Sequence, residues 1–363
     1  MQIGIDSFVE TSLNPGNGGS PDQAQRVRDL LEEIELADQV GLDVFGIGEH
    51  HRQEFVASAP AVILAAAAAR TKRIRLTSAV TVLSSEDPVR VFQQFATLDL
   101  ISQGRAEIIV GRGSFIESYP LFGFDLEDYD ALFTEKLELL LKIRDHTQVH
   151  WSGKHRATLT GQGVYPRPIQ NPLPIRVGVG GTPESFARAG KLGLPLVVAI
   201  IGGEPRRFRP LVDYYRESAR HAGHTGNNLE VGIHSIGFVA DNSAQAAGDF
   251  YPSYAELFNR IGKERGWPPI TRAQFDASRG PTGALLVGDP ESIAEKIVYE
   301  NNVLGGISSM TILLNGGMIP HRKAMHAIEL LGTRVAPIVR KELALPVRPL
   351  ARSNADLQQS VAR

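Results

Sequence analysis

IRLTSAVTVLSSEDPVRVFQQFATLDLISQGRAEIIVGRG, residues Ile74–Gly113, reads as a strand, a helix and a second strand. The β-branched run Ile74–Leu83 predicts the first strand. Asp87-Pro88 then supplies an N-cap residue and a proline at the first helical position, and Gly104 predicts the end of the helix. Ala106–Val110 is the next strand. Two strands joined by one helix predict a parallel pair with a right-handed crossover.

The same alternation of strand and helix extends over most of the chain. We predict eight strands, each followed by a helix: Gln2–Phe8, Val44–Gly48, Ile74–Leu83, Ala106–Val110, Ile175–Val179, Leu194–Ile201, Glu230–Val239 and Ile307–Leu314. Eight such units favour an α/β fold of the closed (β/α)8 TIM-barrel type. An open sheet of two Rossmann halves is the alternative.

The domain organisation follows from the length and from where the alternation pauses. The chain has 363 residues, which suits two ordinary domains or one large barrel. No linker, repeat or charge block divides it, so we predict one barrel domain over residues 1–343. Residues 146–174 and 241–283 are predicted insertions, the second with one helix before a Trp-Pro-Pro break. Residues 344–363 are predicted to be a tail.

Composition excludes several classes of function. Lys plus Arg number 38 and Asp plus Glu 40, so the net charge of −2 argues against nucleic-acid or anionic-membrane binding. Cysteine is absent, which removes disulfides, thiolate nucleophiles and cysteine-ligated metal sites. The start resembles no signal peptide, and the apolar run at 55–69 is shorter than the roughly 18–20 residues of a membrane span. We therefore expect a soluble cytoplasmic protein.

In a barrel of this type the functional residues collect at the carboxyl ends of the strands. The candidates at those ends are Asp6, Phe8, Glu49, His50, His51, Ala79–Thr81, Gly111–Gly113, Gly180–Thr182, Ile201–Gly203 and Asn315–Gly317. The recurring glycines indicate a flat or extended ligand that the backbone approaches closely.

The segment VGVGGTPES, Val177–Ser185, has two interpretations. Amides at the helix start after Gly180-Gly181, with the hydroxyls of Thr182 and Ser185, could cradle a phosphate; otherwise this is a capped helix after a glycine turn. It matches neither a dinucleotide GxGxxG fingerprint nor a Walker sequence. Arg112, between two glycines, is either an anion partner or an ordinary solvated arginine.

Three further side chains, those of His50, His51 and Ser114, are candidates for catalysis or metal binding. His50 and His51 are adjacent on an extended segment, so their rings should point to opposite sides, and no further ligands stand at metal-site spacing. We therefore predict no metal and expect one imidazole, at His50, to enter the barrel mouth as an acid or base. His51 is expected to point away. Ser114 lacks the GxSxG spacing of a nucleophile elbow.

Four stretches together resemble one known family. They are GLDVFGIGEHH (Gly41–His51), the stretch from Asp87 to Gly113, GVGGTPESFARAGKLGLPL (Gly178–Leu196) and VGDPESIAEKI (Val287–Ile297). In this order and spacing they are similar to the bacterial luciferase-like flavin-dependent monooxygenases. The resemblance spans nearly the whole chain apart from the tail.

The resemblance implies a barrel that binds reduced FMN, or a deazaflavin, at its mouth. By this resemblance His50 is the active-site histidine, and Gly111 lies beside the reactive flavin carbon, where the missing side chain leaves room for oxygen. A non-proline cis peptide at Ala79-Val80 would lie beneath the ring. The remaining predicted cofactor-binding residues are Phe8, Arg112, Gly180, Gly181, Thr182 and Ser185, of which Arg112, Thr182 and Ser185 resemble phosphate-binding positions.

One departure from the family concerns the phosphate. Some members carry a second arginine after strand four, where this chain reads LEDYD at Leu126–Asp130. Either another base, with Arg167 as the candidate, takes that place, or backbone amides hold most of the phosphate.

The resemblance leaves three functions open. The first is a two-component monooxygenase that takes reduced FMN from a separate NAD(P)H-flavin reductase and uses dioxygen on a small organic substrate. The alternatives are a deazaflavin-dependent dehydrogenase and a non-catalytic flavin-binding protein. We favour FMN over FAD because the sequence has no dinucleotide fingerprint. We favour it over a deazaflavin because the acidic rim Glu117–Asp130 suits the acidic tail of that cofactor poorly. A homodimer is expected through the helix Pro88–Ile101.

Overall fold

The structure is a computed structural model that describes residues 1–11, 22–113, 115–225, 229–314, 317 and 319–344. Predictions made for Ser114, Asn315, Gly316 and the tail beyond Ala344 lie outside the described residues.

The described residues form twelve strands, and the eight predicted strands are found close to their expected positions. The twelve strands are β1 (Gln2–Ser7), β2 (Val44–Ile47), β3 (Arg75–Ser78), β4 (Thr81–Val82), β5 (Ala106–Gly111), β6 (Gln148–Trp151), β7 (Leu159–Gly163), β8 (Ile175–Val179), β9 (Leu196–Ile200), β10 (Val231–Val239), β11 (Leu286–Gly288) and β12 (Ser309–Leu313).

Eight of these strands close into a parallel barrel. The order around it is β1, β2, β3, β5, β8, β9, β10 and β12, and β12 pairs with β1 again. The predicted TIM barrel is therefore confirmed. All residues of β5 and β10 are buried, as expected for strands covered by side chains on one face and helices on the other.

The helices surround the barrel. They are α1 (Gln23–Gln39), α2 (Pro60–Arg70), α3 (Pro88–Ser102), α4 (Ser118–Phe122), α5 (Tyr129–Asp145), α6 (Pro183–Lys191), α7 (Arg209–His221), α8 (Ser243–Arg265), α9 (Arg272–Ser278), α10 (Pro290–Leu304), α11 (His321–Leu330) and α12 (Ala336–Ala344). Within the described ranges, no helix is long and apolar enough to span a membrane.

Helix α3 shows how the sequence sets a boundary. The Asp87 carboxylate accepts hydrogen bonds from the amides of Val89 and Arg90, which otherwise have no partner in the first turn. The helix ends where Gln103 and Gly104 adopt positive φ. Both ends agree with the prediction to within two residues.

Several local predictions need correction. The single strand predicted at Ile74–Leu83 is split into β3 and β4 by a cis peptide bond between Ala79 and Val80, which the family resemblance had implied. The first interruption contains the β6–β7 hairpin. The second contains two helices, α8 and α9, where one was predicted. A π-helical turn at Leu331–Val335, which the sequence analysis did not predict, joins α11 to α12.

Candidate active site

A cavity of about 510 Å³ lies at the carboxyl ends of the barrel strands. This size falls within the usual range for pockets that hold small ligands and cofactors. The predicted site residues in its wall are Phe8, His50, Ala79, Val80, Gly111, Arg112, Gly180, Gly181 and Thr182. Ser185 lies behind this wall and bonds to Arg112. The structure thus brings all the predicted site residues to one place.

One end of the cavity is built around Arg112. Its Nη2 atom donates to Oγ of Ser185 at 3.1 Å, and its Nη1 atom donates to Oδ1 of Asp130 at 2.5 Å. The guanidinium lies 4.9 Å from the ring centre of Tyr129, whose hydroxyl donates to the Gly113 carbonyl. These contacts fix the guanidinium beside the cavity.

Arg188, three residues after Ser185 on α6, is a second cation at this end. Its Nη2 atom lies 3.8 Å from Oδ1 of Asp130, and its buried Nη1 atom has no hydrogen-bond partner. Burial, followed by the nearby charge of Arg112, lowers the pKa of Arg188. Arg188 on α6 thus brings a second guanidinium to Asp130, which the sequence analysis did not predict.

The prediction that Arg167 takes the place of the missing arginine is wrong. Its guanidinium donates to the carbonyls of Ile143 and Arg144 and stacks over Phe92. These partners belong to the C-terminal end of α5 and the interior of α3, and none of them lines the cavity.

The start of α6 faces the same end. Thr182 is the N-cap residue, and its side chain makes no capping hydrogen bond. A Cβ atom built on Gly180 or Gly181 would have no neighbour within 4 Å, so the space before the helix is open. A helix N-terminus with open space and a fixed arginine suits a phosphate group. We call Arg112, Ser185, Arg188 and the start of α6 the anion end.

The floor of the cavity is formed by Val80. A Cβ atom on Gly111 would lie 2.6 Å from Cγ2 of Val80, and one on Gly178 would lie 2.8 Å from Cγ1. Both glycines thus make room for the Val80 side chain. The absence of a side chain at Gly111 consequently has a packing cause in addition to the predicted room for oxygen.

His50 lies in an aromatic pocket at the other end. Its ring centre is 4.5 Å from that of Phe8, 4.3 Å from Phe55 and 5.4 Å from Phe115. We call these four rings, together with the His234 ring that stacks on Phe8, the aromatic end. The buried Nε2 atom of His50 has no hydrogen-bond partner. Such an atom is suited to a bound ligand.

Burial governs the charge of His50. It lowers the pKa of the imidazole to about 3, and the nearby His51 and Arg52 act in the same direction. The ring is therefore neutral near pH 7. Near pH 7 the ring therefore has no second proton to give as a general acid, and it can serve as a neutral hydrogen-bonding group.

His51 was expected to point away from the mouth, and this prediction is wrong. The residue lines the cavity as well, because Glu49 holds it there. Nε2 of His51 lies 2.9 Å from Oε1 of Glu49, and Oε2 of Glu49 accepts a hydrogen bond from the amide of Val82. His51 is thus engaged by the protein, in contrast to His50.

The sequence analysis missed a buried polar cluster at the aromatic end. Nδ1 of His234 lies 2.6 Å from Oδ2 of Asp6, and Thr311 also donates to this oxygen. Asp6 and His234 both line the cavity. Asp6 was noted only as a strand-end residue, and His234 follows no motif.

Comparison with known proteins establishes the family. Residues 8–305 match the model of the luciferase-like monooxygenase family, and the chain belongs to this family. Limonene 1,2-monooxygenase of Rhodococcus erythropolis is 26% identical over 366 residues, covering 96% of this chain and 92% of that protein. The chain is therefore an enzyme of the flavin-dependent oxidoreductase class.

Solved structures share the fold. Monooxygenase RslO1 from Streptomyces bottropensis superposes with a TM-score of 0.80 at 23% identity, covering 93% of this chain and 99% of that one. The oxygenating constituent of 3,6-diketocamphane monooxygenase from Pseudomonas putida, solved with FMN, gives 0.74 at 22% identity, with coverages of 93% and 98%. The coenzyme F420-dependent tetrahydromethanopterin reductase of Methanopyrus kandleri gives 0.70 at 19% identity, with coverages of 93% and 98%. The fold thus serves both flavin and deazaflavin enzymes.

Proposed function

We propose that this protein is the oxygenating component of a two-component monooxygenase, which uses reduced FMN and dioxygen on a small organic substrate. The observation that carries the proposal is the division of one cavity into an anion end and an aromatic end. FMN has the same division, with one terminal phosphate and one flat apolar ring system. The Rhodococcus and Pseudomonas relatives are named as monooxygenases, which supports the same reaction type.

The phosphate would be held at the anion end. Arg112 and Arg188 supply positive charge, and the start of α6 supplies amide donors. Both arginines contact one exposed carboxylate, that of Asp130. The group therefore has a net positive charge, which favours binding of a further anion.

The flavin ring would lie over the Val80 floor, with His50 beside it. The bound cofactor would supply the reaction with oxygen, while the protein would orient the ring and exclude water. His50 would contribute a neutral hydrogen-bonding group, because its apolar surroundings disfavour the charged form. On this view His50 is the catalytic residue of the chain.

FMN is favoured over FAD because the anion end suits one terminal phosphate and the sequence has no dinucleotide fingerprint. A deazaflavin-dependent dehydrogenase is the second candidate, supported by the fold shared with the F420-dependent reductase. Against it, the rim segment Glu117–Asp130 carries five acidic residues and no lysine or arginine. Such a rim suits a polyanionic cofactor tail poorly.

Two partners belong to the proposal. A separate NAD(P)H-flavin reductase would supply reduced FMN, because the sequence contains no nicotinamide-binding motif. A second copy of the chain would cover the outer face of α2 and α3. Phe92 and Phe95 pack on the barrel wall, so this contact would rest on the exposed residues Val62, Leu100 and Ile101.

The experiment that tests the proposal measures oxygen uptake and hydrogen peroxide release together. Reduced FMN is supplied by a separate flavin reductase, and candidate substrates are added in turn. A monooxygenase consumes oxygen and, with its substrate present, converts it to oxygenated product in place of peroxide. A requirement for reduced deazaflavin with no oxygen uptake would instead establish the dehydrogenase.

A further inference from the structure

Most titratable side chains in the cavity wall are already engaged by the protein. Glu49 is bound by His51 and by the amide of Val82. Glu117 pairs with Arg52 at 2.7 Å. Arg112 and Tyr129 have the partners described above. The other titratable groups in the wall are His50 and the Asp6–His234 pair.

The hydrogen bond between Asp6 and His234 fixes the tautomer of the imidazole. With the Asp6 oxygen as the acceptor, the proton of the 2.6 Å contact resides on Nδ1 of His234. The hydrogen bond from Thr311 to the same oxygen also requires an acceptor. In the neutral ring Nε2 therefore carries the lone pair. No protein partner engages this nitrogen among the described residues, and His234 lines the cavity.

This arrangement differs from that of His50. His50 is surrounded by Phe8, Phe55 and Phe115, with no carboxylate bonded to its ring. His234 is backed by Asp6, whose negative charge offsets a positive charge on the imidazole. Phe8 contacts both rings, with centroid distances of 4.5 Å to His50 and 5.9 Å to His234. The aromatic end thus holds one imidazole enclosed by aromatic rings and one that is hydrogen-bonded to a carboxylate.

We propose that Asp6 and His234 form a proton-accepting pair for a substrate that is a neutral, largely apolar phenol or enol. The proposal rests on the proposed function only in placing the substrate beside the flavin ring, next to His234 at the aromatic end. In the step, the substrate O–H bond breaks and an N–H bond forms at Nε2 of His234. The electron pair stays on the oxygen, and the imidazolium is balanced by Asp6. His234 touches the substrate, while Asp6 is a positioning residue.

The substrate class follows from acidity and from the cavity wall. A phenol, with an ordinary pKa of about 10 as in tyrosine, is within reach of an imidazole, whereas an aliphatic alcohol is far less acidic. A carboxylic acid would arrive ionised and be repelled by Asp6. Phe8, Phe115 and Phe208 line the cavity and favour an apolar, aromatic body.

The test uses 4-nitrophenol with the cofactor-free protein, at a pH where the free probe is mostly protonated. We expect the visible band of the nitrophenolate to appear on binding. His234→Gln should abolish the band and Asp6→Asn should weaken it. Arg112→Met and the exposed control His146→Gln should both retain it. Absence of binding, binding without the band, or a band that depends on Arg112 but not on His234 would overturn the proposal.

A second measurement needs no variant. Nitrogen-15 shifts of the histidine side chains in the wild-type protein report which ring nitrogen carries the proton. The proposal requires the Nδ1–H form for neutral His234, and the Nε2–H form would contradict it. FMN affinity is measured separately: its absence would count against the proposed function while leaving the probe result intact.

Discussion

Oδ1 of Asp6 occupies the space that a side chain at Gly46 would need. The two residues are paired in register between β1 and β2, and a Cβ atom on Gly46 would lie 2.1 Å from that oxygen. Real Cβ contacts of this length do not occur, so Asp6 has its orientation toward His234 because position 46 is glycine.

Gly46→Ala should therefore displace Asp6 and cost about 1–3 kcal/mol of unfolding free energy, the usual range for an overpacked core. Chemical denaturation measures this loss, and nitrogen-15 shifts should report an altered His234 tautomer. Gly248→Ala is the matched control: this exposed glycine in α8 has no atoms near an added Cβ, so the change should be neutral or slightly stabilising. Equal effects of both substitutions would refute the close contact.

His50 should make stability depend on pH in the acid range. Its pKa is about 3 in the folded protein and about 6.5 when unfolded, so between these values the unfolded chain binds the extra proton. The contribution of neutral, buried His50 to the free energy of unfolding is fully present above pH 6.5. It is lost as the pH falls, with a slope of up to about 1.4 kcal/mol per pH unit.

His50→Phe removes this group and should flatten that part of the pH profile, measured by urea denaturation from pH 7 to pH 4. The exposed His146→Phe should leave the slope unchanged. If both variants keep the wild-type slope, the imidazole of His50 is not held neutral by burial.

His50→Asn tests the proposed catalytic role. Loss of the imidazole should lower turnover by about 10²-fold, the lower range for a positioned hydrogen-bonding or acid–base group. FMN affinity should change little, because the ring contacts no part of the anion end, whereas the melting temperature should fall modestly because the buried ring packs against Phe8 and Phe55. Unchanged turnover with a lower melting temperature would show that His50 serves packing alone.

Asp130 competes with a bound phosphate for the two arginines of the anion end. Its carboxylate contacts Arg112 at 2.5 Å and Arg188 at 3.8 Å, and its side chain is 68% exposed. Asp130→Asn should tighten FMN binding several-fold and leave riboflavin binding unchanged, as measured by flavin fluorescence. Asp213→Asn, an exposed carboxylate in the Arg209 pair on α7, is the control. Weaker FMN binding in the Asp130 variant would mean that this carboxylate positions Arg112.

The fold could be predicted because short β-type runs alternate with helical patterns over most of the chain. The anion end could be predicted in part: Gly180, Gly181 and Thr182 form one local turn, and Arg112 follows a strand. Local patterns of this kind need no long-range information.

The missed residues depend on long-range contacts. Asp6 and His234 are 228 positions apart and meet only because the barrel closes. Arg188 reaches the anion end because α6 presents it on the same face as Ser185, and a search of that face could have found it. The prediction for Arg167 failed because its segment packs against the C-terminal end of α5, and no local sequence pattern indicates this contact.

The most direct test of the central claim compares equilibrium binding of FMN, riboflavin, FAD and a deazaflavin to the wild type and to Arg112→Met. Charged hydrogen bonds of about 1.5–3 kcal/mol predict that FMN binds roughly 10- to 100-fold more tightly than riboflavin, and that the substitution removes most of this difference. The account also predicts weaker binding of FAD and of the deazaflavin. Equal affinities for FMN and riboflavin, or a clear preference for the deazaflavin, would contradict it.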